Sequence, residues 1–277
     1  MKPLLAQLVD GQSLSTDQAV EAFDLIMSGQ ASPPQIAALL ALIQQRGATV
    51  DEMVGAATVM RRMATAVTAP AGLTLVDTCG AGGTGSRFFN ISTAAALVGA
   101  AAGRPRGIAV AQHGNRAVTS RSGSSQVLES LGVKLAVAGS TLTRCLDEAG
   151  FCFCFAPAHH PAMKHALPVR LELGFRTLFN VLGPLTNPAG ARRQVVGVYS
   201  RDLTAKLAGV LKNLGSDHAM VVHGATPDGR GLDELSTCGP TWVAEVRDGA
   251  IREHDLDPMT LNLDIADVTE LKVDGPE

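Results

Sequence analysis

The chain has 277 residues, of which 46% are hydrophobic and 18% are charged, a composition that excludes an intrinsically disordered protein. This length is enough for one large domain or two smaller ones. The formal net charge of −3 gives no overall basic field, so nucleic acid is not an expected partner. A local basic pocket for a phosphate stays open.

The sequence also predicts no membrane partner. Its longest apolar stretches are rich in alanine and broken by glycine, and residues 1–11 lack the layout of a signal peptide. The five cysteines are odd in number and lack metal-finger spacing. We interpret them as small buried thiols of a cytoplasmic protein, with Cys152 and Cys154 on the same face of a strand.

The first 70 residues are predicted to form a small helical domain. Three capping-box spacings each open an apolar-periodic run: Ser15 with Gln18, Ser32 with Gln35, and Thr49 with Glu52. Pro33 takes the first position of one helix, where its missing N–H costs nothing. Gly11, Gly29 and Gly47 are predicted to end the preceding helices.

The pattern changes from residue 73 onward. Strand-like runs at 73–79, 107–111, 133–137, 151–155, 194–199 and 218–223 alternate with helical runs at 92–102, 124–131, 141–149 and 203–214. This alternation predicts an α/β domain at 71–277 with a central, mostly parallel sheet and helices on both faces. Asp248-Gly249 predicts a hairpin between 243–247 and 251–254. Residues 69–71 mark a candidate hinge between the two domains.

A glycine-rich loop follows the first predicted strand. Gly80-Ala81-Gly82-Gly83-Thr84-Gly85 leads to Asn90-Ile91-Ser92-Thr93 at the start of an alanine-rich helix. Glycines let backbone N–H groups approach an anion closely, and the helix N-terminus adds donors and partial positive charge. The order therefore predicts a phosphate or diphosphate site, although a simple flexible turn with a helix cap stays open. It is neither a Walker A loop nor a dinucleotide fingerprint.

A second polar segment follows the second strand. Gln112-His113-Gly114-Asn115-Arg116 leads through Thr119, Ser120 and Arg121 into a helix. Ligands of open α/β sheets bind beyond the carboxyl ends of the strands, so both loops should border one crevice. Arg116 and Arg121 can neutralise phosphates there. The alternative is an exposed polar loop.

Two further groups carry candidate chemistry. Asp233 and Glu234 follow the strand at 218–223, and Mg²⁺ prefers one or two carboxylates together with water and substrate oxygens. A solvated surface pair is the alternative. His159 and His160 are interpreted as structural or substrate-shaping residues, and Arg170 as a clamp for a carboxylate or an ordinary surface arginine.

These segments, in this order, closely resemble the anthranilate phosphoribosyltransferase family. The resemblance extends from the N-terminal helices to about His254. Its most specific parts are FNISTAA at 89–95, HGNR at 113–116, HHPAMK at 159–164, RTLFN at 176–180 with GPLTNP at 183–188, and GLDE at 231–234.

The resemblance implies a helical domain beside an α/β domain, a homodimer, Mg²⁺ as cofactor, phosphoribosyl diphosphate as donor and anthranilate as acceptor. It places donor binding at Gly80, Gly83, Thr84, Phe88, Asn90, Ile91, Ser92, Thr93, Gln112, His113, Gly114, Asn115, Arg116, Ala117, Val118, Thr119, Ser120 and Ser124. It places acceptor binding at Gly80, Asn115, His160, Arg170 and Pro184, and metal binding at Ser92, Asp233 and Glu234. The reaction implied is displacement of diphosphate at the anomeric carbon through an oxocarbenium-like sugar. No dedicated general base is apparent.

The sequence departs from the family pattern at the donor side. Ala81 and Thr84 stand where the family has Thr and Asp, Phe88 replaces a Thr, and Gln112 replaces a Lys. A charged hydrogen bond contributes roughly 1.5–3 kcal/mol, so each lost charge could weaken donor binding by one to two decades. The chain also ends short of the closing helices that the family usually carries. An inactive or altered paralogue that binds a phosphorylated ligand, and a pyrimidine nucleoside phosphorylase, are the alternatives.

Overall fold

A computed structural model describes residues 1–82, 88–116, 123–229 and 231–273. Its first part contains four helices, α1 (Lys2–Val9), α2 (Thr16–Met27), α3 (Pro33–Arg46) and α4 (Val50–Arg62). All three predicted capping boxes are present, and Pro33 opens α3 as expected. Gly11, Gly29 and Gly47 have positive φ angles just after α1, α2 and α3, which confirms their role as helix ends.

The second part alternates strands and helices. The strands are β1 (Thr74–Gly80), β2 (Ile108–Gly114), β3 (Phe151–Phe155), β4 (Arg193–Gly197), β5 (His218–Gly224), β6 (Thr241–Arg247) and β7 (Ala250–Leu256). The helices are α5 (Ile91–Gly103), α6 (Ser124–Ser130), α7 (Gly139–Ala149), α8 (Ala156–His159), α9 (Leu167–Leu173), α10 (Phe179–Leu182) and α11 (Asp202–Asn213). Short 3₁₀ helices span Arg104–Arg106, Pro161–His165, Gly183–Leu185, Pro258–Leu261 and Val268–Leu271.

The seven strands form one sheet in the order β3-β2-β1-β4-β5-β6-β7. The pairings from β3 to β5 are parallel, and β6 and β7 are antiparallel, so the predicted mostly parallel sheet is confirmed. Helix α5 packs on one face, through Ala96 and Ala100 against Val110. Helix α7 packs on the other, through Leu142 and Leu146 against the alternate residues of β2.

One predicted strand is wrong. Residues 133–137 form the connection between α6 and α7 and contain no strand. Leu135 is buried against Leu128 and Phe153, so this apolar run packs onto the edge of the sheet through its side chains. A short apolar run cannot be separated from a strand by periodicity alone.

The hairpin and the paired cysteines are confirmed. Asp248 and Gly249 have φ angles of 51° and 72°, which a type I′ turn between β6 and β7 requires. Cys152 and Cys154 are both buried, with their Sγ atoms 3.8 Å apart. In the ranges that the structure describes, no helix combines the length and apolar character needed to span a membrane.

The largest hydrophobic core joins the helical part to the sheet. It contains buried residues of α1 to α4 together with Val169 of α9, Phe179 of α10, Val196 of β4 and Leu211 of α11. Helices α9 and α10 therefore pack on the N-terminal helices although they lie late in the chain. The division into domains at residue 70 stays a prediction.

Glu52 anchors the helical part from inside. Its side chain is fully buried, and Oε1 accepts from the Leu14 N–H at 3.0 Å and from the Arg46 guanidinium at 2.5 Å. Oε2 accepts from the Thr49 N–H at 2.8 Å. One carboxylate thus satisfies the start of α4, the end of α3 and the connection before α2.

We expect Glu52→Gln to destabilise the protein. The amide has one accepting oxygen where the carboxylate has two, and its lack of charge weakens the contact with Arg46. Such bonds contribute about 1.5–3 kcal/mol, so the melting temperature should fall by several degrees. Glu148→Gln is the matched control, since Glu148 forms an exposed pair with Arg144. Equal melting temperatures for the two variants in a calorimetric scan would contradict this role.

Candidate active site

The candidate site lies where the parallel strands end. β1, β2, β4 and β5 end at Gly80, Gly114, Gly197 and Gly224. Because these strands are parallel, their carboxyl ends lie along one edge of the sheet, where open α/β sheets bind ligands. The absence of side chains at these ends leaves room for other backbone to cross the edge.

Residues 231–236 fold back across this edge. Leu232 exchanges two backbone hydrogen bonds with Gly224, at 2.8 and 2.9 Å. A Cβ on Gly197 would lie 1.6 Å from the carbonyl oxygen of Asp233, so only glycine permits this approach. A Cβ on Gly80 would lie 3.4 Å from Asp233 Oδ2, which puts that carboxylate beside the end of β1.

The three predicted metal ligands come together at this point. Glu234 accepts hydrogen bonds from the Ser92 hydroxyl and the Ser92 N–H, which lie in the first turn of α5. Burial and the neighbouring Asp233 charge, opposed by the Ser92 bonds, together raise the pKa of Glu234 to about 8. Two carboxylates and a hydroxyl thus form an oxygen-only set, of the kind that suits Mg²⁺.

The start of α5 connects the metal set to the donor side. Asn90 caps this helix, its Oδ1 accepting from the Thr93 N–H at 3.1 Å. The Ser124 hydroxyl, at the start of α6, lies 3.5 Å from the same Asn90 oxygen. Thr78 of β1 donates to the Ser92 carbonyl at 2.9 Å. Four predicted donor-binding residues, Asn90, Ser92, Thr93 and Ser124, therefore lie around one helix N-terminus.

Gln112 lies in a strand and not in a loop, because β2 runs three residues beyond the predicted 107–111. Its side chain is buried against α5 and donates to Thr93 Oγ1 at 3.2 Å. Gln112 Oε1 is buried without a partner in the described structure. Gln112, which stands where the family has a lysine, therefore lies directly beneath the first turn of α5.

Asn115 and Arg116 follow β2 and are exposed. The Arg116 guanidinium contacts Glu129 of α6 at 2.7 Å and lies over the Phe155 ring at 5.8 Å. Phe88 forms an isolated bridge with Lys272, just before α5, where Ile91 takes the first helical position. Six predicted donor-binding residues lie outside the residues that the structure describes: Gly83, Thr84, Ala117, Val118, Thr119 and Ser120.

His113, which the resemblance assigns to the donor, and His160, which it assigns to the acceptor, form a buried pair. Their Nε2 atoms are 3.2 Å apart and their ring centres 5.1 Å apart. His113 Nδ1 lies 3.0 Å from the Gly183 carbonyl, which only accepts, so this nitrogen carries the proton. The Nε2 atoms of His113 and His160 then face each other at hydrogen-bonding distance, and His160 also bonds to the Thr186 backbone.

Both imidazoles are neutral near pH 7. Burial and the neighbouring His160 together lower the pKa of His113 to about 3. Burial likewise lowers the pKa of His160 to about 4, although a backbone hydrogen bond to Thr186 acts in the opposite direction and raises it. The pair contributes directed hydrogen bonds and no positive charge.

The other two acceptor candidates lie on the segments that follow. Pro184 is buried in the 3₁₀ turn Gly183–Leu185, and its carbonyl accepts from Gln194 Nε2 at 2.8 Å. Arg170 on α9 packs its guanidinium 5.1 Å from the Phe179 ring centre, and burial lowers the pKa of Arg170. The turn thus contacts the histidine pair through Gly183, and Arg170 contacts Phe179 of α10.

Four residues that support this site were not predicted from the sequence: Asp77, Asn187, Gln194 and Gly197. The Asp77 carboxyl is buried under β2 and accepts from the His113 N–H and the Asn187 amide. An acidic residue within an apolar strand was the signal that could have revealed it, since buried charges need partners. Nothing in the sequence marked Gly197.

Comparison with known proteins agrees with this geometry. Residues 2–64 match the family model described as glycosyl transferase family, helical bundle domain, and residues 72–277 match its a/b domain. Anthranilate phosphoribosyltransferase of Laribacter hongkongensis is 50% identical over 96% of this chain and 76% of its own length. The Rubrobacter xylanophilus enzyme of that name is 48% identical over 95% of this chain and 74% of its own length.

Solved structures give the same result. The Thermus thermophilus anthranilate phosphoribosyltransferase is 41% identical, with a TM-score of 0.88 over 99% of this chain and 78% of that one. The Saccharomyces cerevisiae enzyme, solved in complex with PRPP and Mg, is 28% identical with a TM-score of 0.85 over 99% and 77%. The resemblance of the motifs is thereby confirmed, and the chain belongs to the anthranilate phosphoribosyltransferase family.

Proposed function

We propose that this protein uses Mg²⁺ to transfer the phosphoribosyl group of phosphoribosyl diphosphate to anthranilate, releasing diphosphate, a reaction of tryptophan biosynthesis. The observation that carries the proposal is the meeting of Ser92, Asp233 and Glu234 beside Gly80 at the ends of the parallel strands. The S. cerevisiae relative has been solved with PRPP and Mg and, separately, with 4-fluoroanthranilate.

Donor binding is assigned to the first turn of α5 and its surroundings. The N-terminal N–H groups of a 13-residue helix favour an anion, and Asn90 and Ser124 add polar groups at the same point. Gly114, Asn115 and Arg116 extend the donor side along the end of β2 and beyond it, whereas the His113 imidazole contacts His160 on the acceptor side. These residues orient the diphosphate so that the anomeric carbon faces the acceptor side.

The chain's oxygen donors fit Mg²⁺. Asp233 raises the pKa of Glu234, so these carboxylates repel each other and a cation between them would be stabilised. Ser92, Asp233 and Glu234 would hold the ion, which neutralises the charge developing on the departing diphosphate. Within the described part of the chain no group of three or more His, Cys, Asp or Glu offers an alternative metal site.

Acceptor binding is assigned to Asn115, His160, Arg170 and Pro184. The half-buried Arg170 guanidinium supplies the cation that the carboxylate of anthranilate needs. The neutral histidine pair and the buried Pro184 offer an uncharged wall for the aromatic ring and its weakly basic amine. A carboxylate clamp beside an uncharged wall distinguishes an aromatic amino acid from a phosphorylated acceptor.

The departures Ala81, Thr84, Phe88 and Gln112 support the second hypothesis, an inactive or altered paralogue. All four stand in segments that the family resemblance assigns to the donor, whereas the metal set and the acceptor residues match the family. The relatives reported above all bear the name of the transferase, and they offer no support for a pyrimidine nucleoside phosphorylase. We also propose, from the family resemblance, a cytoplasmic homodimer.

We expect purified protein to consume anthranilate only when Mg²⁺ and phosphoribosyl diphosphate are both present, as followed by anthranilate fluorescence. Asp233→Asn and Glu234→Gln should lower the rate about 100-fold or more, because metal stabilisation of developing charge contributes several kcal/mol. Asp217→Asn is the control, since Asp217 pairs with Arg192 and Arg193 before β5, at the opposite edge of the sheet.

Folded parent protein that leaves anthranilate unchanged under these conditions would refute the transferase. Measurable binding of phosphoribosyl diphosphate by calorimetry in that case would establish the inactive paralogue. Equal activity of the Asp233→Asn variant and the Asp217→Asn control would refute the metal assignment.

We expect Gln112→Lys to lower the KM for phosphoribosyl diphosphate about tenfold or more, since a charged hydrogen bond contributes roughly 1.5–3 kcal/mol. Burying an ammonium group without its anion is unfavourable, so the melting temperature should fall in buffer and recover with donor. Gln45→Lys adds the same charge at an exposed position of α3 and serves as the control. An unchanged donor KM in Gln112→Lys would show that position 112 does not face the donor.

A further inference from the structure

Asp77 is a buried carboxylate to which none of the assigned roles refers. It lies in the middle of β1, on the opposite side of the strand from the residues that contact α5, and its side chain is fully buried. Burial of an acidic group is unfavourable unless its oxygens are hydrogen-bonded. Its partners therefore indicate what the residue holds in place.

These partners come from three different segments. Asp77 Oδ1 accepts from the His113 N–H of β2 at 3.1 Å. Asp77 Oδ2 accepts from Asn187 Nδ2 at 2.8 Å, and Gln194 Nε2 of β4 lies 3.4 Å away. The Cys79 thiol also donates to this carboxyl.

The same partners fix the turn that carries Pro184. Asn187 Nδ2 donates a second bond to the Ala111 carbonyl at 2.8 Å, and Gln194 Nε2 donates to the Pro184 carbonyl at 2.8 Å. His113 Nδ1 donates to the Gly183 carbonyl, and its Nε2 lies 3.2 Å from His160 Nε2. Asp77 is thus bonded directly to the His113 backbone, and through one residue to Gly183 and Pro184 of the turn.

We propose that Asp77 is a positioning residue for the acceptor: it fixes the distance between the His113–His160 pair and the Pro184 turn, which together form the wall for the aromatic amine. The inference rests on the proposed function for the identity of the acceptor. It assigns Asp77 no contact with substrate, since the carboxyl lies beneath these groups.

The ionised form of Asp77 is the one that fits. Each of its neighbours, the His113 N–H, the Asn187 and Gln194 amides and the Cys79 thiol, presents a hydrogen-bond donor. A proton or an amide N–H₂ at position 77 would therefore meet a donor and break at least one of these bonds. Asp77→Asn keeps the shape of the side chain and removes this complementarity.

We expect Asp77→Asn to raise the KM for anthranilate about tenfold or more while the KM for phosphoribosyl diphosphate stays within about twofold. The Mg²⁺ dependence should also stay unchanged, because Asp77 contacts neither Asp233 nor Ser92. Asp217→Asn controls for the loss of one carboxylate, and Glu52→Gln controls for a loss of stability alone. Equal increases in both KM values, or an unchanged anthranilate KM, would overturn the proposal.

The pH dependence separates this role from a purely structural one. Burial raises the pKa of Asp77 to about 6, against the bonds from Asn187 and His113. Three titratable groups near Asp77, namely Cys79, Cys154 and His113, do not change charge between pH 5 and 7. Burial raises the pKa of Cys79, a hydrogen bond from Cys152 together with burial raises the pKa of Cys154, and burial lowers the pKa of His113 to about 3.

Protonation of Asp77 below pH 6 does not destabilise the fold, because a raised pKa gives stability that is present at low pH and lost as pH rises through about 6. The anthranilate KM of the parent should nevertheless rise on acidification toward that of Asp77→Asn. The KM of Asp77→Asn itself should stay flat. Parallel pH profiles for the two proteins would contradict the proposal.

A spectroscopic measurement tests the inference without turnover. In ¹⁵N-histidine spectra at pH 7, the parent should show neutral His113 with its proton on Nδ1, a signal identified by its loss in His113→Asn. Asp77→Asn should lose this fixed tautomer, and Asp217→Asn should keep it. If the parent lacks transferase activity, the proposed function fails, and a tautomer unaffected by Asp77→Asn would then refute the positioning role as well.

Discussion

The close passage of the Asp233 backbone over Gly197 is the constraint on which the site depends. A Cβ at position 197 would lie 1.6 Å from the Asp233 carbonyl oxygen, so any other residue would push residues 231–236 away from the edge of the sheet. With glycine there, the segment lies across the ends of β4 and β5. It thereby brings Asp233 to Gly80 and Glu234 to Ser92, far apart in the sequence. The strand ends form a rigid edge, and residues 231–236 bring the carboxylates of Asp233 and Glu234 to it.

Charge divides the site into two halves. On the donor side two neighbouring carboxylates and a helix N-terminus favour a cation bound together with an anionic diphosphate. On the acceptor side burial keeps His113 and His160 neutral, and the single cation assigned there is Arg170. This division suits a reaction in which a highly charged group leaves on one side and an uncharged amine attacks from the other. Asp77 connects β1 and β2 with the acceptor turn beneath both halves.

The sequence predicted features that depend on local rules. The capping boxes at Ser15, Ser32 and Thr49, the Asp248-Gly249 turn and the alternation of strands and helices all follow from contacts within a few residues. Recognised motifs placed Ser92, Asp233 and Glu234 in one set. What the sequence could not predict depends on distant partners. Leu135 has the pattern of a strand residue but packs on Leu128 and Phe153, and Gln112 extends β2 beneath α5. The role of Gly197 becomes visible only when residues 231–236 cross it.

The transferase assignment depends most on one feature, a metal site formed by Ser92, Asp233 and Glu234 beside the donor. Its most direct test is a crystal structure of the protein soaked with Mn²⁺ and phosphoribosyl diphosphate, with anomalous scattering used to locate the ion. We expect an anomalous peak within coordination distance of the Asp233 and Glu234 carboxylates and the Ser92 hydroxyl, in contact with diphosphate oxygens. A peak elsewhere, or bound donor with no metal between these residues, would contradict it.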